Sequence, residues 1–136
     1  MAEMLKLEIV TPEEKVYSEM VERVTLPGIE GELGIYPHHV PLMTQIIAGE
    51  LLVLIGNTET ALAVGEGFAE ITGTHVSILT DMAVTSAEID EAVAEEARRK
   101  AEARLQEKLT GEESAAVQAS LAHSLAKLKV KRRNRH

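Results

Sequence analysis

Three groups of side chains in this 136-residue sequence have types and spacings that chemistry could use. His38-His39 is a pair of imidazoles, the commonest metal-ligating side chain. Glu88, Asp90, Glu91, Glu95 and Glu96 form an acidic set that could trade protons. Arg98, Arg99, Lys100 and Arg104, followed by Lys127, Lys129, Lys131, Arg132, Arg133 and Arg135, form a basic set suited to an anionic partner.

Each has a plainer reading. Adjacent histidines diverge on most backbones, a metal site needs three or four converging ligands, and no third ligand is close in sequence. No metal site is expected; the pair reads as part of a proline-bounded turn. The acidic set reads as a solvated helix face near a positive helix N-terminus. Nothing pairs a nucleophile with a base, and no Gly-x-x-x-x-Gly-Lys-[Ser/Thr] loop is present. Gly65-Glu66-Gly67 lacks the third glycine of a dinucleotide fingerprint and precedes a strand-like segment, so it reads as a turn. No catalytic residue is expected. For the basic set, solvated surface, nucleic acid and an acidic protein surface all stand open. Nucleic acid is disfavoured by a net charge of −8 and by the scarcity of aromatics, which are Tyr17, Tyr36 and Phe68.

Charge is divided unevenly. Residues 1–85 carry three basic against 13 acidic side chains, net −10, and residues 86–136 carry 11 against nine, net +2. An acidic head with a basic-ended arm implies two partners, or one arm that touches two surfaces. There is no cysteine, hence no disulfide or thiolate metal site. No apolar run approaches the roughly 20 residues that span a bilayer. Met1 to Val10 alternate in polarity, unlike a signal-peptide core. A soluble, intracellular chain is expected, reaching a membrane only through a partner.

The elements that position these groups follow from periodicity. From Leu5 to Thr80 the period is two: Leu5, Leu7 and Ile9 alternate with Lys6 and Glu8, and Val76 and Ile78 with His75 and Ser77. Gly56-Asn57 separates the apolar runs 51–55 and 61–64 and signals a hairpin. Leu51 to Ile55 does not alternate, so that strand should be covered on both faces, by the other sheet's edge, the arm or another subunit. Pro27-Gly28-Ile29-Glu30-Gly31-Glu32-Leu33-Gly34-Ile35-Tyr36-Pro37-His38-His39-Val40-Pro41-Leu42 reads as turns around a short strand, Leu33 to Tyr36. These features predict an all-β sandwich or barrel.

At Thr85 the pattern changes. Thr85-Ser86-Ala87-Glu88 is a capping box and predicts a helix from about Ala87 to about Leu109, with Ile89, Val93, Ala97, Ala101, Leu105 and Leu109 as its apolar stripe. Thr110 with Glu113 predicts a second helix to about Val130, presenting Val117, Leu121, Leu125 and Leu128. The short connection predicts antiparallel neighbours. Asn134 to His136 should fray. The fold class is thus a β-sandwich N-terminal domain, residues 1–85, followed by an α-helical hairpin C-terminal domain, residues 86–136. The expected contact stripes are alanine-rich (Ala92, Ala97, Ala101, Ala115, Ala119, Ala122, Ala126). A buried methyl contributes about 0.8 kcal/mol against roughly 1.5–3 for a buried leucine. Alanine also favours the isolated helix. Such an arm can undock without unfolding.

The spacing Pro-Gly-x-x-Gly-x-x-Gly-x-x-Pro-x-His-x-Pro-Leu resembles the epsilon subunit of F-type ATP synthases, of the bacterial type. So do Gly67-Phe68-Ala69-Glu70-Ile71 with Val76-Ser77-Ile78-Leu79, and the charged, alanine-rich tail; the resemblance covers nearly the whole chain. It implies a non-catalytic central-stalk subunit at the cytoplasmic face of the bacterial plasma membrane, peripheral and without cofactor. Its head would pack on the gamma subunit and the ring of c subunits, coupling proton-driven rotation to ATP synthesis. Its arm would leave rotation free when folded and block ATP hydrolysis when raised against the alpha and beta subunits.

Carried over, Glu32 and His39 become ring- or gamma-docking candidates. Arg98, Arg99, Lys100, Arg104, Lys127, Lys129, Lys131, Arg132 and Arg133 become candidate contacts to an acidic segment of the catalytic subunits. His38 stands where the family often has glycine. ATP-binding members carry Ile/Leu-Asp-x-x-Arg-Ala. Here Ile89, Asp90 and Ala94 match, but Val93 replaces the arginine and Val84 replaces a frequent glutamate. Valine cannot neutralise phosphate, so weak or absent ATP binding is expected. The arm's helices, about 33 Å and 27 Å long, would reach near 60 Å end to end. Two rivals are a free-standing β-sandwich that senses a nucleotide between head and arm, and an adaptor with a helical grip.

Overall fold

Ten strands and two helices follow one another in the computed structural model, which describes residues 3–133. Asn134 to His136, Arg135 among them, lie outside the described residues. The strands are β1 (Leu5–Val10), β2 (Lys15–Val21), β3 (Arg23–Gly28), β4 (Gly31–Ile35), β5 (Leu42–Ile46), β6 (Gly49–Ile55), β7 (Thr58–Val64), β8 (Gly67–Ile71), β9 (His75–Thr80) and β10 (Ala83–Thr85). They pair in the order β10-β7-β6-β3-β5-β8-β9-β1-β2, with β4 on β3. Every pairing is antiparallel except β1 with β9. The sheet folds over on itself, so that β2 at one end comes to lie against β6.

Alternation places the core. Leu5, Leu7 and Ile9 are fully buried, as are Val76 and Ile78 on the parallel neighbour, and they meet Val24, Leu26, Ile46, Leu51 and Val53 in one aliphatic cluster. The Gly56-Asn57 hairpin forms as its sequence predicts: Ile55 pairs with Thr58, and Gly56 takes φ 62° at the first loop position. The short strand of the proline-glycine stretch is Gly31–Ile35 rather than Leu33 to Tyr36, because it pairs back on β3 through Gly28 and Gly31.

The run Leu51 to Ile55 has two covers. Leu51 and Val53 face the main core. Leu52 faces a second, smaller cluster with Ala61, Ala63, Ile89, Ala126 and Val130. The second cover is the arm.

The arm's helices differ in length from their sequence signals. The Thr85–Glu88 capping box opens only a 3₁₀ turn, Ser86–Glu88. Ile89 then turns extended (φ −83°, ψ 124°) and buries its side chain in the second cluster. Asp90 caps afresh, and α1 runs Glu91–Arg104. Its C-terminus tightens through Gln106 N–H to the Ala103 carbonyl and Glu107 N–H to the Arg104 carbonyl, so Leu105 to Leu109 leave the α-helix. With Ile89 off the helix, the apolar phase is set by Ala94 and Ala101; Val93, expected on the stripe, is 64% exposed.

Helix α2 runs Gly111–Arg133, capped by Thr110, whose Oγ1 accepts from the Glu113 N–H at 3.1 Å. Ser124, Ala126, Leu128 and Val130 are buried, whereas Leu125, expected inward, is exposed. Ala92, Ala115 and Ala119 also face solvent. At 1.5 Å per residue the helices span about 21 Å and about 35 Å.

Candidate functional site

The face between arm and head is built by α2. Its C-terminal half lies across β6 and β7, and α1 lies against α2. The apolar part is the small second cluster. Around it stand three polar attachments. Arg133 donates from Nε and from Nη2 to the two carboxylate oxygens of Glu50, each at 2.6 Å. The Glu50 side chain is 5% exposed and that of Arg133 44%. The bidentate carboxylate raises the guanidinium's already high pKa further. Lys131 Nζ donates to the Ser86 carbonyl at 3.1 Å, and His123 Nε2 lies 3.2 Å from Asp81 Oδ1. Gly65 makes room for this last contact: a Cβ there would fall 1.8 Å from Asp81 Oδ1 and 2.8 Å from His123 Nε2.

A second set of ion pairs crosses the hairpin through Arg132 and through Arg104 to Glu113, and otherwise runs along α1. Arg132 bridges Glu91 at 3.0 Å and Glu95 at 3.1 Å. Arg98 engages Glu95 and, at 2.8 Å, Glu102. The Arg98 guanidinium, with Arg132 behind it, holds the Glu95 carboxyl below its ordinary value. Arg99 approaches Glu95 at 3.6 Å, and Arg104 approaches Glu107 at 3.2 Å and Glu113 at 3.5 Å. Lys100 and Arg104 border a cleft between the helices, Lys127 borders another against Val84 and Ile89, and Lys129 lines a groove with Glu32 and Glu50. In the folded arm, therefore, much of the basic set is engaged by the chain's own carboxylates.

The three positions that match an ATP motif carry local structure. Asp90 Oδ1 accepts from the Val93 N–H at 3.2 Å as the helix cap, and Ile89 and Ala94 are buried. They border a cleft of about 180 Å³ in which Glu88 and Asp90 stand opposite Lys127. The Thr85 hydroxyl donates to Glu88 Oε1 at 2.7 Å and lowers the pKa of that carboxyl, so it stays ionised. Two carboxylates against one ammonium do not invite a polyphosphate.

Glu32 and His39 keep separate neighbourhoods. Glu32 is exposed on β4 opposite Pro27 and borders the groove beside Glu50. His39 sits by the β8–β9 turn and donates from Nδ1 to the Val40 carbonyl at 2.7 Å. His38 holds the turn that its glycine-like position demands, at φ 68°, with its ring Nε2 2.8 Å from Glu3. Among the described residues no cluster of His, Cys, Asp and Glu suits a metal ion.

Sequence reading passed over two features. One is Glu50, a lone acid next to an apolar run. The other is an exposed apolar row on the outer face of β5, β8 and β9. Phe68 and Leu79, 55% and 60% exposed, are directly paired across β8 and β9, and Met43 stands diagonal to Phe68. Alternation carried the signal: with Ala69 and Ile71 inward, Phe68 must point out.

Comparison with known proteins agrees along nearly the whole chain. The family described as "ATP synthase, Delta/Epsilon chain, beta-sandwich domain" matches residues 4–86, and "ATP synthase, Delta/Epsilon chain, long alpha-helix domain" matches residues 87–132. The ATP synthase epsilon chain of Syntrophobacter fumaroxidans is 47% identical over 130 residues, covering 96% of this chain and 97% of that one. That of Dehalococcoides mccartyi is 47% identical over 132 residues, covering 96% and 94%. A chain of the Euglena gracilis mitochondrial ATP synthase, in an OSCP/F1/c-ring structure, superposes with a TM-score of 0.77 at 25% identity, covering 93% and 79%. One in the Tetrahymena thermophila mitochondrial ATP synthase central stalk/c-ring structure gives 0.61 at 12% identity, covering 96% and 98%, and shares the fold.

Proposed function

Given that the chain belongs to the ATP synthase delta/epsilon chain family, we propose that it is a non-catalytic central-stalk subunit whose head couples rotation and whose arm restrains ATP hydrolysis. The head binds the gamma subunit and the ring of c subunits. The outer row of Phe68, Leu79 and Met43 suits a shaft subunit, since apolar side chains left on a rigid sheet favour a protein partner. Glu32, exposed on β4, and His39 suit the polar ring surface. Among the described residues no helix is long and apolar enough to cross a membrane, so attachment to the cytoplasmic face of the bacterial plasma membrane runs through these partners.

One observation carries the regulatory half. The arm adheres to the head through an apolar cluster separate from the main core, in which Ala61, Ala63 and Ala126 supply much of the contact. Weak adhesion of stable helices gives an element with two poses. In the folded pose Arg132 and Arg133 are held by acids of α1 and of the head; in the raised pose these pairs open, and Lys127 to Arg133, with Arg98 to Arg104 still carrying their ion pairs along α1, can meet an acidic surface of the alpha and beta subunits. ATP is not required as a ligand.

Removing residues 86–136 and reconstituting the complex tests this. Assembly and ATP synthesis should persist while hydrolysis rises. Unchanged hydrolysis would remove the inhibitory role, and failure of the chain to co-purify with gamma would remove the stalk role.

A further inference from the structure

We propose that Glu50 is a guanidinium receptor on the head, occupied here by the chain's own Arg133, and that this pair is the latch that sets how long the arm stays folded. The inference deepens the regulatory reading above and rests on it for its physiological meaning, but the latch itself is a property of the isolated chain.

Geometry argues first. Glu50 lies on β6 two residues before Leu52, so both side chains leave the same face of the strand. Leu52 packs on the arm's apolar cluster; Glu50 meets the arm's last described residue. Both carboxylate oxygens are matched to two nitrogens of one guanidinium, the fork geometry that distinguishes arginine from lysine. Position argues second. Arg133 stands at the end of α2 remote from the hairpin turn, three residues beyond Val130, so its pair with Glu50 closes the end of the arm's apolar cluster. Surroundings argue third. Glu32 lines the same groove, and it and Glu59 also act on Arg133, so the receptor is acidic beyond one residue even with Lys129 in the groove.

The two partners differ in exposure, and this gives the latch a signature. With the arm down Glu50 is almost fully covered, whereas Arg133 keeps access to water. Removing Arg133 strands a carboxylate under the arm and penalises the folded pose. Removing the charge of Glu50 leaves an arginine that water can serve. Arg133→Gln must therefore release the arm more than Glu50→Gln does, and Glu50→Gln placed on top of Arg133→Gln must restore part of the docking.

The chain has no cysteine, so Thr58→Cys on the head and Gln118→Cys on the arm accept a pair of spin labels whose separation reports the pose. The ratio of folded to released arm should fall by about 10- to 100-fold in Arg133→Gln. It should fall less in Arg133→Lys, which keeps the charge but loses the fork. Raising salt to about 1 M should move the native chain toward Arg133→Gln while moving the double variant little. An unchanged distance distribution in Arg133→Gln, or a double variant that opens as far as the sum of the singles, would overturn the latch. Hydrolysis by the reconstituted complex separates the two readings. If Glu50→Gln, which alters only the head's side of the pair, shifts the arm toward release and hydrolysis does not change, the latch stands and the regulatory role falls.

Discussion

The backbone N–H of His38 donates to the Gly73 carbonyl at 2.8 Å while His38 itself sits at φ 68°. A histidine thus fills a left-handed position between two prolines, and its hydrogen bond to the β8–β9 turn keeps it there. Left-handed backbone disfavours a side chain by about 1–2 kcal/mol, partly offset because glycine loses more freedom on folding.

His38→Gly should therefore stabilise the head, by about 0.5–1 kcal/mol in urea unfolding, despite losing the exposed contact with Glu3. His38→Val should destabilise it, since a β-branched residue resists that region. Equal midpoints for the three chains would show that the turn relaxes.

Phe68→Asp and Leu79→Asp act on the exposed row. Each side chain is more than half exposed, so the isolated head should unfold within about 0.5 kcal/mol of the native chain. Recovery of the gamma subunit in a pull-down should nonetheless fall steeply. Undiminished recovery would move the shaft interface elsewhere.

Acid should loosen the arm, and Glu8 on β1, held low by Lys15, gives the head a dependence of the same sign. Glu88 and Glu95 are held below the ordinary carboxylate value of 4.5 by Thr85 and by Arg98 with Arg132. A carboxyl whose pKa is lower folded than unfolded contributes stability that is complete above the unfolded value and lost as pH falls through the folded one. Helical circular dichroism should therefore melt at the same temperature at pH 6 and 7, and progressively earlier as pH falls below 4.5. A melting temperature flat down to pH 3 would contradict it.

Calorimetry of the isolated chain with ATP should show no micromolar binding. Val93→Arg adds a cation at an exposed position beside the cleft of Glu88, Asp90 and Lys127 and should raise affinity. Micromolar affinity in the native chain would show that Lys127 suffices.

Much of the fold was legible because alternation and turn chemistry are local. Leu5, Leu7 and Ile9 announced an inward face, Gly56-Asn57 a hairpin, and Thr110 with Glu113 a helix start. The limits of α1 were not, because two caps compete within six residues. Thr85 satisfies the local rule, but Ile89 gains more by burying against Val130 and Ala126 than by continuing a helix, and Asp90 is then free to cap. Glu50 was illegible for a related reason: its partner lies at the other end of the chain, and no spacing rule joins them. The docking roles of Glu32 and His39 rest on resemblance, for the structure gives each its own neighbours.

β1 lies between β2 and β9, and its partnership with β9 is parallel. β1 leaves the ribosome well before β9 and thus waits for one of the last strands of the head before its second edge is satisfied. Until Thr80 has emerged, Leu5, Leu7 and Ile9 belong to an unfinished hairpin with an open, apolar edge, which is where nascent chains stick to one another. Closure of the head is therefore a late event in synthesis, and the arm, made afterwards, meets a surface that has only just formed.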